Sequence, residues 1–222
     1  MIKHLLSSKT KQFYEKPPKE QESGHFNIPV SNMLHQIDVM YVSNDPTDDS
    51  DYKYIFVVVD AHNGLCDARP LPENTLQMIE KAIEDIYDKS PYLNAPKLIM
   101  ADNQFNTPEF KKWIENNLGS NLKFSEAGNH RQMAFVERLN RTLGTWIYQY
   151  QVDKELQTGM PNTEWRRILK LFIDILNKHN IKSKKLDKNF NIPNYEPKNK
   201  PINYVHIDNS TVLLDIGTKV RL

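Results

Sequence analysis

The six residues Tyr54-Ile55-Phe56-Val57-Val58-Val59 constrain the fold more than any other stretch of this chain. A strand built from such a continuous β-branched and aromatic run has no face to offer water. It must be covered on both sides, which calls for a layered protein. Upstream, from Leu34, Ile37, Val39 and Tyr41 alternate with Gln36, Asp38 and Met40, the period of a strand. A turn-rich acidic loop is expected over 44–51. Asn63-Gly64 marks a tight turn into a third strand over 65–71, so the first three strands read as a meander.

The period then changes. Leu76, Ile79, Ile83 and Ile86 recur at helical spacing after Asn74, with Gln77 three residues on in the manner of a capping box. Pro91 and Pro96 end that helix, and 97–101 is a short apolar strand that stops at Asp102. Thr107-Pro108 opens a helix carrying Phe110, Trp113 and Ile114. A fifth strand over 122–124 leads through a loop with Gly128 to a helix over 133–150. A last helix from Thr163 places Ile168, Leu169, Phe172, Ile175 and Leu176 on one face. Three strands followed by alternating helix and strand predict an α/β fold with a five-stranded mixed sheet flanked by helices.

Outside that core, residues 1–30 are polar and read as an N-terminal arm, with the core over 31–181. Residues 182–210 are Lys- and Pro-rich and read as an extended basic linker. Residues 211–222 regain strand character around Gly217. No run of eighteen apolar residues predicts a membrane span, and residues 1–7 are too short an apolar stretch for a secretory signal. The single cysteine, Cys66, excludes an internal disulfide and suits a reducing compartment. The net charge of +1 hides an asymmetry. Six Asp face one Lys between 38 and 60, and ten Lys or Arg face three acids between 165 and 200. Such a chain is suited to gather cations in one place and phosphates in another, or simply carries two solvated surfaces of opposite sign.

Three acids stand where chemistry is expected. Asp38 lies inside a strand among apolar neighbours, where a carboxylate is costly to bury unless paired or metal-bound. Asp102 ends the fourth strand, the edge at which open α/β sheets tend to bind ligands. Glu137 rides a helix whose buried stripe is Val136, Leu139, Leu143 and Ile147, with Asn140, Arg141 and Gly144 on an adjacent face. The strings His35-Gln36-Ile37-Asp38-Val39, Asp102-Asn103-Gln104-Phe105 and Glu137-Arg138-Leu139-Asn140-Arg141-Thr142-Leu143, with Tyr54 to Asp60, together resemble the core of retroviral integrases. Relatives of that core occur in retrotransposons, Polinton-like elements and virophages, and the resemblance runs over about 35–180.

The resemblance implies an RNase H-like fold and a DNA integrase that trims element ends and joins the 3′ hydroxyl to target DNA. It implies that Asp38, Asp102 and Glu137 hold two Mg²⁺ or Mn²⁺ ions, with Asp38 bridging both. It implies double-stranded DNA as partner, a homo-oligomer, no membrane, and a host nucleus or virus particle as the setting. Two departures stand out: 34 residues lie between Asp102 and Glu137, one fewer than is commonest in the family, and no Cys pair is present for an N-terminal zinc domain. His4 and His25 alone cannot close a tetrahedral site, so no zinc is expected. The string from Leu214 to Leu222 resembles the first strand of a small barrel or chromodomain, so the chain is expected to be a fragment or an element lacking those parts.

For phosphate contact the candidates are Asn140 and Arg141, one turn about Glu137, and Arg138, whose alternative is simply to face solvent. His130 and Gln132 in the preceding loop are candidates for touching a DNA end, with an exposed mobile loop as the alternative. Lys182, Lys184, Lys185 and Lys188 are expected on DNA backbone, with a solubilising linker as the alternative. Glu137 has a plainer reading as an i,i+4 partner of Arg141. Asp60, before His62-Asn63-Gly64, reads as a turn-capping acid rather than a fourth ligand. His35 and Cys66 read as packing residues. The competing functions are a related transposase, and a non-catalytic DNA-binding or assembly protein derived from an integrase.

Overall fold

The apolar run of residues 54–59 forms most of a strand, Tyr52–Asp60, inside a five-stranded sheet in the computed structural model of the chain. The structure describes residues 27–47, 51–125 and 130–196. Most of the expected arm and the whole of 211–222 lie outside these. Strands β1 (Leu34–Asp45), β2 (Tyr52–Asp60) and β3 (Cys66–Leu71) make the antiparallel meander. Strands β4 (Leu98–Ala101) and β5 (Asn121–Phe124) add in parallel on the other side of β1, giving the order β3-β2-β1-β4-β5. Four α-helices complete the described chain: α1 (Leu76–Lys89), α2 (Pro108–Leu118), α3 (Ala134–Thr158) and α4 (Arg166–Lys184). Among the described residues no helix is long and apolar enough to cross a membrane.

The run divides by the two-residue period of a strand. Ile55, Val57 and Val59 pack with Val136, Leu139, Leu143, Ile147, Trp165, Leu169 and Ile173 of the α3–α4 face. Phe56 and Val58 pack with Ile79, Ile83, Ile86, Phe110 and Ile114 of the α1–α2 face. The expected layer architecture is therefore present, a mixed sheet with helices on both faces.

Several local expectations need correction. The first cap of α1 is Thr75, whose hydroxyl accepts from the Met78 amide, so Asn74 and Gln77 form no capping box. Helix α3 runs two turns past the expected end at 150 and stops at Gly159 in a left-handed conformation. Helix α4 begins at Arg166 rather than Thr163, because Asp45 of β1 supplies its cap from across the chain. Asp45 Oδ2 accepts from the Trp165 and Arg166 amides at 2.6 and 2.7 Å. Burial alone would raise the Asp45 carboxyl; the amides of Arg166, Trp165 and Thr47 bring it below the usual range. The buried face of α4 is Leu169, Ile173 and Asn177, and Ile175 is exposed. The region from 182, expected to be an extended linker, starts as the last turn of α4 and continues in turns. Leu186 and Phe190 there pack on the α1–α2 core.

Asp60 is a turn acid, as expected. It is fully buried and accepts from Ser31 Oγ and the Asn32 and His62 amides at 2.8–2.9 Å. Cys66 packs in the core, its amide and carbonyl held by the side chain of Asn177.

His35 is fully buried beside Tyr87, with Nδ1 3.0 Å from the phenol oxygen and Nε2 without a partner. Burial pushes its pKa down to about 4 from 6.5, against a smaller upward pull from the Asp60 charge. The unfolded chain gains a proton near 6.5 while the folded chain resists until about 4. Stability is thus complete above 6.5 and lost as pH falls through that window, on the order of 3 kcal/mol. Replacing the pair by His35→Leu with Tyr87→Phe is expected to flatten the pH dependence of the urea midpoint between those values.

Candidate metal centre

The register of two parallel strands brings the first two acids together. Leu34, His35 and Gln36 of β1 pair with Leu98, Ile99 and Met100 of β4. Continuing two residues sets Asp38 beside Asp102 on strands about 4.8 Å apart. Asp102 is the first residue past β4 and caps a 3-10 turn, Asn103–Phe105. Its Oδ1 accepts from the Asn103 amide at 2.7 Å and from Ser125 Oγ, just past β5, at 3.1 Å. Glu137 lies exposed in the first turn of α3, whose stripe Val136, Leu139, Leu143 and Ile147 is buried as expected.

Asp38 is half-buried, and its carboxylate is fully engaged. Oδ1 accepts from the Val39 amide at 2.8 Å and Gln104 Nε2 at 3.2 Å, and Oδ2 from Asn140 Nδ2 at 2.8 Å. Burial pushes the Asp38 carboxyl above the usual range; the Val39 and Asn140 bonds oppose this. The negative charges of Asp102 and Glu137 push it up again. Both other acids are therefore within electrostatic reach of Asp38, at one edge of the sheet.

As placed, no three His, Cys, Asp or Glu side chains among the described residues stand close enough together to hold a metal ion. The oxygens of Asp38 are turned instead to amide donors. The chemistry of the set nevertheless fits a hard divalent cation: three carboxylates, a serine hydroxyl, and the amide oxygen Oδ1 of Asn140. That last atom is buried beside Asp38 and has no partner, as expected of an oxygen awaiting a cation or its water.

The remaining expected contacts divide. Arg138 and Arg141 are exposed on α3, and the Glu137–Arg141 ion pair is not formed among the described residues. Asn140 donates to Asp38 and so stands with the acids in this structure. His130 begins a 3-10 turn, His130–Met133. Gln132 is buried at the foot of α3 and its carbonyl accepts from Gln36, which removes it from the solvent-facing set. Lys182, Lys185 and Lys188 are exposed. The Lys184 ammonium bonds the Asn63 carbonyl, at the end of the sheet where β1 begins and away from the acids. Sequence reasoning missed Gln36, Gln104 and Ser125. Gln36 alone carried a signal, its two-residue spacing from Asp38 on one strand face.

Comparison with known proteins gives sequence and structural relatives. The Pol polyprotein of feline endogenous virus ECE1 is 34% identical over 125 residues, 54% of this chain and 11% of that protein. The Gag-Pol polyprotein of baboon endogenous virus (strain M7) is 34% identical over the same length, covering 6% of its chain. The chain thus spans about a tenth or less of these polyproteins. No protein-family model matches. Among solved structures, a chain of the simian T-cell lymphotropic virus intasome, in complex with the PP2A regulatory subunit B56 gamma, aligns with a TM-score of 0.55. It is 17% identical and covers 92% of this chain and 73% of that one. The HTLV-2 integrase catalytic core domain in complex with magnesium aligns with a TM-score of 0.46 at 18% identity, over 68% of this chain and 85% of that one. This chain therefore shares its fold with a chain of that simian T-cell lymphotropic virus intasome.

Because burial and two neighbouring charges raise the Asp38 carboxyl, its ionisation opposes folding. The contribution is absent below the ordinary carboxylate range and grows as pH rises through the raised value. Asp38→Asn removes it, and the new amide can donate to Asn140 Oδ1 after a flip of Asn140. The metal-free variant is expected to melt about 2–4 °C above the parent at pH 7. A scanning calorimetry trace at or below the parent would refute this.

Proposed function

We propose that this chain, whose core is of the retroviral integrase type in fold and shares sequence with retroviral Pol polyproteins, is a metal-dependent DNA integrase. Its reactions are 3′-end processing of element or viral DNA and transfer of the resulting 3′ hydroxyl into target DNA. The reading is supported by the strand register that sets Asp38 beside Asp102, with Glu137 in the first turn of α3 near enough for its charge to raise the Asp38 carboxyl.

Asp38, Asp102 and Glu137 would hold the divalent cations, two Mg²⁺ or Mn²⁺ ions. Bound there, the ions would activate the attacking oxygen, stabilise the leaving oxygen and offset charge at phosphorus. The chain's own residues do the rest. Asn140 fixes the plane of the Asp38 carboxylate from one side and Gln104 from the other. Ser125 orients Asp102. Arg138 and Arg141, exposed within a turn of Glu137, meet DNA phosphates without regard to sequence, which makes binding salt-sensitive. His130 approaches the DNA end from the turn before α3, and Lys182 and Lys185 add backbone contacts farther from the acids. A homo-oligomer acting in a virus particle or host nucleus is the setting in which such an enzyme works.

The test is a joining assay with labelled duplexes bearing recessed 3′ ends, matched to the encoding element, and a supercoiled plasmid target. Joining is expected with Mg²⁺ or Mn²⁺ and to cease with chelator. Asp38→Asn, Asp102→Asn and Glu137→Gln are each expected to reduce it by about 10³-fold or more, the scale on which one member of a catalytic unit acts. Circular dichroism should stay unchanged. Joining that survives Asp38→Asn overturns the catalytic reading. Duplex binding without joining by the parent chain favours a non-catalytic descendant instead.

A further inference from the structure

Gln36 is fully buried on the central strand, two residues before Asp38 and on the same face. Its Oε1 accepts from the amides of both Phe135 and Val136 at 3.0 Å, and its Nε2 donates to the Gln132 carbonyl at 2.6 Å. Phe135 and Val136 are the second and third residues of α3, whose amides have no partner within a helix. A helix ordinarily satisfies them with a Ser, Thr, Asp or Asn at its own cap position. Here that position is Met133, which offers no capping atom. The cap comes from a strand about a hundred residues away.

This cap is the first of three ties along one seam. Asn140 of α3 bonds Asp38, and Gly144 faces Met40, whose Cε would lie 3.7 Å from a Cβ added at that glycine. Strand positions 36, 38 and 40 thus meet helix positions 136, 140 and 144. Two strand residues rise about 6.6 Å and four helix residues about 6.0 Å, so the two periods stay in step over this length. A slide of α3 by one residue, about 1.5 Å, would break both cap bonds and strand a fully buried amide. A local cap at 133 would stabilise the helix without tying its height to the strand. The Gln36 amide ties it, and Glu137 is the next residue after the capped pair.

We infer that Gln36 is a positioning residue: its trans-cap sets the height of the Glu137 helix against the Asp38 strand and so determines how tightly the acids take up divalent cations. The inference rests on the reading of these acids as cation ligands. A local cap loss would act on stability alone, whereas loss of a tie between two ligand-bearing elements acts on cation affinity, typically by about 10–100-fold for groups that orient ligands.

The experiment is a Mn²⁺ titration of the full 222-residue chain, followed by the rise in melting temperature, for the parent, Gln36→Asn, Gln36→Glu and Asp38→Asn. Gln36→Asn keeps the amide but falls one methylene short of the helix; its Mn²⁺ midpoint is expected to rise about tenfold or more. Gln36→Glu keeps oxygens for the Phe135 and Val136 amides and, protonated in this fully buried position, an O–H for the Gln132 carbonyl, so its midpoint is expected near the parent value. A Gln36→Asn protein with a lower metal-free melting temperature and the parent's Mn²⁺ midpoint has lost only stability, and the inference falls. If Asp38→Asn abolishes the Mn²⁺ response while Gln36→Asn keeps it unchanged, the inference alone is overturned and the ligand reading stands. A parent chain with no saturable Mn²⁺ response overturns both. Should Gln36→Asn fail to fold, a tenfold weaker midpoint in Gln36→Glu would refute the inference by itself.

Discussion

The central strand must bury polar atoms, and the placement of the helices depends on how those atoms are satisfied. β1 lies between β2 and β4, with helices over both faces. It still carries His35, Gln36, Asp38 and Asp45, and three of these are fully buried. Each is answered by a different piece of the fold: His35 by Tyr87 of α1, Gln36 by the first turn of α3, Asp38 by Asn140 and Gln104, Asp45 by the first turn of α4. A buried polar group left unanswered costs about 1–3 kcal/mol. Apolar contact alone would let a helix slide or turn on the sheet at little cost. These directional bonds do not, and three of the four helices are held by them.

That arrangement explains what was legible in the sequence. Periodicity revealed the strands, the helices and the two-sided burial of β2, because apolar spacing follows directly from element geometry. The acids were singled out because a carboxylate among apolar strand neighbours is chemically conspicuous, and their flanking strings resembled a known family. The caps supplied from a distance were not legible. Asp45 lies in what reads as a solvated acidic loop, and nothing local ties it to Trp165, 120 residues on. Gln36 shows only its two-residue spacing from Asp38, and its role as a cap is not seen until α3 lies above it. The start of α4 is blurred in sequence for the same reason, since it carries no capping residue of its own. Asn140 was noticed as an amide one turn past an acid, but its bond to Asp38 shows only in the packed structure.

The candidate centre is also a place where local stability is given up. Burial and the charges of Asp102 and Glu137 raise the Asp38 carboxyl, and the amides of Val39 and Asn140 offset only part of this. An apolar or amide residue at 38 would make a quieter strand. On the proposed reading the same unfavourable charge would become favourable once cations share the carboxylates, so the destabilising feature and the proposed activity would have one origin. It follows that the acids cannot hold their own geometry without cations, because their mutual force is repulsive. Neutral groups must hold it instead, and the amides of Gln36, Gln104 and Asn140 with the hydroxyl of Ser125 are neutral donors and acceptors at just these contacts. Their neutrality lets them fix the backbone and the carboxylate planes without competing for a cation's charge.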